Sequence, residues 1–183
     1  MKIYTKQGDD GTTGLFYGGR VSKAAHGPEV YGTVDEAVAA LGVARAIADE
    51  TDPPMGAEIL RIQRELFVVA AELATAPDNR HKLEDDVSRV TSDMVAGTEA
   101  AIDRVEARFG IPTEFIVPGG NPLAAQLDVA RTVVRRAERR AVAYAEVGGL
   151  DGSAVIMYLN RLADYLYMLA RAAEGTWTSS RGN

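Results

Sequence analysis

Three arginines stand four residues apart in one segment of the chain. Arg131, Arg135 and Arg139 would lie along one side of a helix, because residues four apart are neighbours on a helical turn. A partly desolvated guanidinium needs a carboxylate or phosphate partner, and its planar fork suits both. The spacing indicates an anion site, and a solvated helix surface with Glu138 in local ion pairs is an equally weighted alternative.

A glycine-rich segment near the start of the chain is a second candidate. Residues 7–19 contain five glycines among small polar residues, so we predict a loop without regular structure. Its backbone N–H and hydroxyl groups could wrap phosphate oxygens, and Lys23 could add a positive charge. The residue orders of the P-loop and of the dinucleotide fingerprint are absent. A plain turn and a solvated lysine are the commoner outcomes, so this interpretation depends on support from other residues.

Three polar residues share one side of the predicted last helix, namely Asn160, Asp164 and Arg171. Their spacing fits a helix–helix hydrogen-bond network and a ligand contact equally well. Asp35, at a predicted helix start, either favours the helix dipole or pairs with an arginine across a packed interface, and we favour the pair. Phe115 lies between two prolines, where it either plugs the end of the core or docks a large hydrophobic ligand.

Composition limits the class of protein. The 183 residues contain no linker-like stretch, so we expect a single domain. With 20 Lys+Arg against 26 Asp+Glu and no basic run, nucleic acid is not an expected partner. Cysteine is absent, and neither His26 nor His81 has partners at metal-ligand spacing. No signal-peptide pattern and no apolar run of roughly 20 residues is present, so we expect a cytoplasmic protein without a membrane partner.

Hydrophobic periodicity predicts five helices and no strand. The helices are expected at about 33–50, 54–76, 87–109, 122–148 and 153–174, and Thr33 with Glu36 would form a capping box at the first start. Short connections make sequential helices antiparallel, which predicts an all-α, up-and-down five-helix bundle. The single domain 1–183 would comprise an N-terminal loop region 1–32, the bundle 33–174 and a flexible tail 175–183. Wide apolar stripes favour packing against copies of the same chain.

Six ordered blocks identify a family resemblance. They are residues 4–15, 19–23, 31–36, 115–120, 131–140 and 158–164. In this order and at this spacing, the chain resembles the PduO-type ATP:cob(I)alamin adenosyltransferases over nearly its whole length. Departures from the family pattern are modest: Gln7 replaces a usual threonine, 37–39 replace a Leu-Asn-Ser-like stretch, and Ala163 replaces a usual serine.

The resemblance implies a homotrimer of ferritin-like five-helix bundles that binds Mg-ATP at the subunit interfaces. The residues that would hold ATP are Thr5, Lys6, Gln7, Gly8, Thr12, Thr13, Gly14, Lys23, Arg135, Arg136, Ala137, Glu138, Arg139 and Asn160. Asp35 and Arg131 match an ion pair between neighbouring subunits. Phe115 matches an aromatic residue that displaces the lower axial ligand of the corrinoid, and Phe115, Arg135, Asp35 and Arg131 are the expected catalytic group.

The implied reaction transfers the 5′-deoxyadenosyl group of ATP to the Co(I) of a reduced corrinoid, giving adenosylcobalamin and triphosphate. The cobalt is then the nucleophile, which explains why the sequence offers no nucleophilic side chain of its own. A flavin-type reductase and an adenosylcobalamin-dependent mutase are the implied protein partners. The main alternative is a non-catalytic carrier that binds ATP and corrinoid and delivers cofactor to a mutase. A helical scaffold without a small ligand is a third hypothesis.

Overall fold

The computed structural model describes residues 2–181. Within this range the chain forms two short strands, one 3-10 helix and five α-helices. They are β1 (Thr12–Gly14), β2 (Arg20–Ser22), α1 (His26–Thr51), α2 (Pro53–Leu73), the 3-10 helix (Pro77–Lys82), α3 (Ser92–Phe109), α4 (Pro122–Glu146) and α5 (Val155–Glu174). The prediction of a mainly helical fold with five helices is confirmed. None of the helices in this range combines the length and apolar content that are needed to cross a bilayer.

The helices enclose one continuous hydrophobic core. Helix α1 packs against α2 and α4, while α5 packs against α3 and α4. Fully buried leucines and isoleucines from four helices meet in this core, among them Leu41, Ile62, Leu127 and Leu166. Because α4 contacts both α1 and α5, its polar face is held in a fixed position relative to polar residues on both neighbours.

Side-chain caps fix the starts of three helices. Asp52 accepts a hydrogen bond from Met55 N over 3.2 Å at the start of α2, and Thr91 accepts one from Met94 N over 3.3 Å at the start of α3. Asn121 accepts from Ala124 N over 2.9 Å at the start of α4. These caps satisfy backbone donors that have no partner inside the helix. Helix α3 therefore begins at Ser92, later than its periodicity predicts.

Helix α1 begins at His26, so the predicted capping box at Thr33 is wrong. Thr33 lies inside the helix, where its hydroxyl donates a hydrogen bond to the carbonyl of Glu29 over 2.7 Å. Pro28 lies in the first turn, where the missing N–H of proline leaves no helical hydrogen bond broken. The added turns bring the helix close to the end of the N-terminal segment.

The glycine-rich segment contains a β-hairpin, which corrects the prediction of a loop without strands. In the ladder, Thr12 lies opposite Ser22 and Gly14 lies opposite Arg20. Gly18 and Gly19 occupy the reversal with φ values of 99° and 96°, which residues with a side chain rarely adopt. Because most glycines lie in the turns and not in the ladder, the strands can still pair.

Part of the predicted flexible tail pairs with the connection between α3 and α4. Val117 N donates to the carbonyl of Thr178 over 2.9 Å, and Ser180 N donates to the carbonyl of Phe115 over 2.8 Å. The Trp177 indole donates to the carbonyl of Arg171 over 3.1 Å. The last two residues of the predicted tail, 182–183, and residue 1 of the predicted loop region lie outside the described residues.

Candidate functional site

The N-terminal hairpin borders a polar cavity of about 330 Å³. Its lining residues are Thr5, Gln7, Gly8, Thr12, Thr13, Gly14, Arg20 and Lys23. All the phosphate-binding residues that the sequence predicts in this segment line the cavity except Lys6, which has a positive φ of 61°. Hydroxyls, backbone amides and two cations surround one space, and this combination suits an anion with several oxygens.

Gly8 allows Lys23 to approach the loop closely. The Lys23 ammonium donates to the carbonyl of Gly8 over 2.8 Å. A Cβ atom at position 8 would lie 3.1 Å from that ammonium nitrogen and 3.2 Å from the carbonyl oxygen of Thr12. A side chain there would push the lysine away, so glycine preserves the shape of the cavity.

Arg20 is a cavity residue that the sequence predictions missed. Its Nε donates to the Thr12 hydroxyl over 3.1 Å, and its terminal nitrogen also donates to the carbonyl of Gln7. One guanidinium thus joins two points of the loop to strand β2. Only the hairpin register places Arg20 beside Thr12, and a glycine-rich sequence specifies register weakly.

Asp10 reinforces the same turn. Its carboxylate accepts hydrogen bonds from the hydroxyl of Thr12 over 2.8 Å and from the backbone N–H of Thr12 over 2.9 Å. These bonds hold the pKa of Asp10 below its ordinary value. The carboxylate is therefore ionised at neutral pH, and Thr12 is held by Asp10 on one side and Arg20 on the other.

Two arginines of α4 bind α1 instead of remaining free. Arg136 forms an ion pair with Glu36, and Arg140 pairs with Glu29 over 2.5 Å. Arg140 also donates to the hydroxyl of Thr33. These contacts join the two helices along one edge. The predicted nucleotide contact of Arg136 stays a prediction, and it would compete with the carboxylate of Glu36.

The exposed face of α4 carries Arg135 and Arg139. Neither guanidinium has an ion-pair partner among residues 2–181, and Arg139 donates to the carbonyl of Arg135 over 3.0 Å. Ala137 between them is fully buried, so its methyl group faces the core and away from any ligand on this face. The segment therefore presents two positive charges to solvent, as an anion site requires.

Asn160 of α5 lies beside this arginine segment. Its amide nitrogen donates to Glu138 over 2.9 Å, and its amide oxygen accepts from Arg161 over 2.7 Å. Both contacts belong to a hydrogen-bond network between helices, one of the two alternatives for this polar face. The network also places Asn160 beside Glu138 of the arginine segment, and the predicted nucleotide contacts of both residues stay predictions.

Asp35 and Arg131 do not pair with each other within this chain. Asp35 is exposed in the interior of α1, too far from the first turn to favour the helix dipole, so that alternative is wrong. It has no ion-pair partner among the described residues, while Arg131 donates to Asp128 over 3.0 Å. The predicted pair between neighbouring subunits stays a prediction.

Phe115 is 84% exposed, so it does not plug the end of the core. It borders a cavity of about 390 Å³ next to Pro112, Tyr167 and Arg181. Ser180 N donates to the carbonyl of Phe115 and Val117 N donates to the carbonyl of Thr178, and these two bonds hold this connection in place. The Phe115 ring is therefore accessible on a fixed backbone, and its predicted contact with a large hydrophobic ligand stays a prediction.

The three candidate regions lie apart in one chain. The hairpin cavity is lined only by residues between 5 and 23, and the arginine segment belongs to α4. The Phe115 cavity lies at the connection between α3 and α4. Among residues 2–181 there is no cluster of three histidine, cysteine or acidic side chains that could hold a metal ion. The fold and these regions define a helical-bundle protein with a polar cavity that contains two cationic side chains and a second cavity beside an exposed aromatic ring.

Sequence relatives specify the family. The sequence profile of the family described as "Cobalamin adenosyltransferase" matches residues 3–173. The corrinoid adenosyltransferase of Citrobacter freundii is 40% identical over 175 residues, which cover 96% of each chain. The corrinoid adenosyltransferase PduO of Salmonella typhimurium is 43% identical over 175 residues, which cover 95% of this chain and 50% of that protein. This chain belongs to the cobalamin adenosyltransferase family.

Solved structures agree with this membership. A phenylalanine-to-alanine variant of the PduO-type ATP:corrinoid adenosyltransferase from Lactobacillus reuteri, complexed with cobalamin and ATP, superposes with a TM-score of 0.86 at 30% identity and covers 99% of this chain and 100% of that chain. An arginine-to-lysine variant of the same enzyme, complexed with ATP, gives a TM-score of 0.80 at 31% identity, with 94% of each chain covered.

Proposed function

We propose that this protein transfers the 5′-deoxyadenosyl group of ATP to the cobalt of a reduced corrinoid. The observation that carries the proposal is the match to the Citrobacter freundii enzyme over 96% of both chains. In the reaction, Co(I) supplies an electron pair to the 5′ carbon of ATP and a cobalt–carbon bond forms. The bond between that carbon and the triphosphate oxygen breaks, and triphosphate leaves with its electron pair.

The protein's first task is to bind ATP and stabilise the leaving triphosphate. The hairpin cavity is lined by Lys23 and by threonines whose hydroxyls would donate to phosphate oxygens, on a loop that Asp10 and Arg20 hold in place. Preorganised donors of this kind commonly supply the largest share of transition-state stabilisation. Arg135 and Arg139 add two arginines of α4 that have no ion-pair partner among residues 2–181. Mg²⁺ would arrive on the phosphates, since it prefers phosphate oxygens and water to all-protein ligand sets.

We infer that the complete site forms between subunits of a homotrimer. In one chain no residue of α4 lines the hairpin cavity, so a second copy is the natural source of arginines for a loop-bound triphosphate. The exposed face of α1 supports such packing, because it carries small residues at Gly32, Ala39 and Ala46 and an exposed valine at Val43. Asp35 lies on the same face, where Arg131 of a neighbouring subunit would pair with it.

The second task concerns the corrinoid. The exposed ring of Phe115 would lie under the macrocycle and exclude the lower axial ligand and water. An axial donor enriches Co(II) in electrons and makes further reduction harder, so its exclusion eases formation of Co(I). The reaction then needs an external electron donor, for which a flavin-type reductase is suited. An adenosylcobalamin-dependent mutase would consume the product, and the cytoplasm is the expected compartment for all three.

An anaerobic turnover assay tests the proposal. The purified protein is mixed with a chemical reductant, cob(II)alamin and Mg-ATP, and the corrinoid spectrum and free triphosphate are followed. We expect the adenosylcobalamin spectrum and one triphosphate for each corrinoid converted. Tight binding of both substrates without turnover would favour the carrier hypothesis. Unchanged corrinoid, under conditions where a related enzyme succeeds, would reject catalysis.

A further inference from the structure

Arg171 is a charged side chain in the core, only 1% exposed. One of its terminal nitrogens lies 2.5 Å from an Asp128 carboxylate oxygen. Its Nε lies 3.2 Å from a Glu174 oxygen, an ion-pair contact without hydrogen-bond geometry. Its guanidinium carbon is 5.2 Å from the centroid of the Tyr167 ring. A buried cation between two carboxylates is held by them, and removal of the cation would leave two unpaired buried charges.

Both carboxylates also bind groups beyond Arg171. The second oxygen of Asp128 accepts a hydrogen bond from Arg131 Nε over 3.0 Å. The second oxygen of Glu174 accepts one from the backbone N–H of Gly120 over 2.9 Å. Arg171 therefore stands at the centre of a continuous series of contacts from Arg131 on α4 to Gly120 in the connection between α3 and α4.

The contact at Gly120 fixes the backbone position of the connection between α3 and α4, which also carries Phe115. A Cβ atom at position 120 would lie 3.0 Å from the Glu174 side chain, so the carboxylate and the backbone are already in close contact. The neighbouring Asn121 amide donates to the carbonyl of Ala173 over 2.7 Å. Tyr167, which contacts the guanidinium, lines the Phe115 cavity. The position of the connection thus depends on the end of α5, and Glu174 is held there by Arg171.

We propose that Arg171 is a positioning residue that holds the Phe115 connection in its catalytic position. This inference rests on the proposed function for its kinetic consequence, but not for its structural part. Without the guanidinium, Asp128 and Glu174 would lose the charge between them, and the unpaired carboxylate of Glu174 would move outward to water. Gly120 N–H would then lose its acceptor, and the backbone that bears Phe115 would become mobile. ATP binding should not change, because the hairpin cavity and Arg135 lie elsewhere.

The test compares Arg171→Met with Arg80→Met. Methionine has nearly the length of arginine but lacks its charge. Arg80 is a matched control, because it forms a similar ion pair with the fully buried Glu72 over 2.6 Å. Amide exchange of Gly120, Val117 and Leu41 is measured on ligand-free full-length protein, with Leu41 as the reporter of global opening. ATP affinity and kcat for adenosylcobalamin formation are measured in parallel.

In Arg171→Met we expect the amide exchange rates of Gly120 and Val117 to increase roughly tenfold more than the rate of Leu41. Such a difference indicates local opening of the connection and not global unfolding. We expect kcat to fall by about tenfold to a hundredfold at unchanged ATP affinity, since small misplacements of a reacting group have effects of this size. In Arg80→Met, exchange at Gly120 and Val117 relative to Leu41 should match the wild type, and so should kcat. Equal rises at all three amides, or the same kcat loss in both variants, would overturn the proposal.

A conservative variant covers the case in which Arg171→Met does not fold. Arg171→Lys keeps the charge, but a single ammonium cannot reproduce the planar fork between two carboxylates, so its exchange and kcat should fall between wild type and Met. If Arg171→Lys has the exchange rates and kcat of the wild type, a guanidinium is not required at this position. If the wild-type protein makes no adenosylcobalamin, the proposed function fails, while the exchange ratios still decide whether Arg171 holds the connection.

Discussion

The side-chain amide of Asn160 donates a hydrogen bond to the carboxylate of Glu138 over 2.9 Å, which joins α5 to the arginine segment of α4. Glu138 is the acidic residue between Arg135 and Arg139, and this bond directs it toward α5. Neither arginine has an ion-pair partner among residues 2–181. The segment therefore keeps a positive surface in spite of its own carboxylate, and the first prediction follows from this surplus charge.

Arg135→Ala should weaken ATP binding. A charge-assisted hydrogen bond to phosphate contributes about 1.5–3 kcal/mol, so the dissociation constant should rise by roughly tenfold to a hundredfold. Calorimetric titration with Mg-ATP measures it. Arg64→Ala is the matched control, because Arg64 is an exposed arginine without an ion pair in the described chain, on α2. An equal loss of affinity in both variants would mean that Arg135 contributes only to the general charge of the protein.

Phe115→Ala should slow turnover and leave ATP affinity unchanged. The ring is exposed and borders a cavity far from the hairpin, so its loss affects the corrinoid step alone. We expect kcat to fall by at least about tenfold, since a lower axial ligand or water could then reach the cobalt. The spectrum of bound cob(II)alamin with ATP should show the lower ligand attached.

Phe67→Ala is the control for loss of an exposed phenylalanine, because Phe67 is 61% exposed on α2 and lines neither candidate cavity. Its kcat and its bound cob(II)alamin spectrum should match the wild type. A Phe115→Ala protein with reduced ATP affinity and a normal corrinoid spectrum would contradict the assigned role.

Asp35→Asn should loosen the trimer. Asparagine removes the attraction between the carboxylate and Arg131 of the neighbouring subunit, so subunit dissociation should increase roughly tenfold. Sedimentation equilibrium over a range of concentrations measures it. Asp103→Asn is the control, because Asp103 is an exposed aspartate without an ion pair in the described chain, on α3. If Asp35→Asn remains a fully active trimer, the predicted pair with Arg131 does not exist.

The sequence predicted the helices well because their signals are local. Apolar spacing and turn residues located all five, and α4 begins at Pro122 as expected. The start of α1 was missed because two glycines and Pro28 precede the periodic stretch, and only packing against α2 and α4 stabilises those turns. Strand pairing in the hairpin depends on contacts across the chain, such as Phe16 N to the carbonyl of Ala74, which no local pattern encodes.

In the candidate site too, the features with local sequence signals were predicted, and those that depend on contacts between distant residues were not. The loop, the arginine segment and Phe115 were identifiable from residue type and from the family resemblance. Arg20 was not, since its role arises from the register that places it opposite Gly14 and beside Thr12. Arg171 was recognised as part of a polar face, but periodicity could not tell whether that face contacts a ligand or another helix. Its burial, at 1% exposure, identifies the helix contact.

Arg20→Ala should weaken ATP binding by loosening the hairpin loop. The guanidinium joins Thr12 to the carbonyl of Gln7, and without it the loop must be ordered at the moment of binding. We expect the ATP dissociation constant to rise about tenfold, the usual cost of lost preorganisation over a few side chains. Arg20→Lys keeps the charge but cannot join both points, so it should resemble Ala if ordering matters. Wild-type affinity in Arg20→Lys would show that only the charge contributes.

Glu58→Gln should lower stability at neutral pH but not in acid. Burial raises the pKa of Glu58, but hydrogen bonds from Arg61 and from the Tyr165 hydroxyl, each 2.6 Å long, outweigh burial and hold the pKa below its ordinary value of 4.5. A lowered pKa in the folded state stabilises the protein above the unfolded-state pKa, and this stabilisation is lost as pH falls through the folded-state value.

We therefore expect Glu58→Gln to reduce the free energy of unfolding by about 1.5–3 kcal/mol near neutral pH, the range for hydrogen bonds to a charged group. The difference from wild type should shrink in urea titrations at acidic pH, as the pH falls through the folded-state pKa of Glu58. Glu50→Gln serves as the control, because Glu50 is exposed near the end of α1, and it should change little at either pH. A deficit for Glu58→Gln of the same size at both pH values would show that its ionisation is not linked to folding.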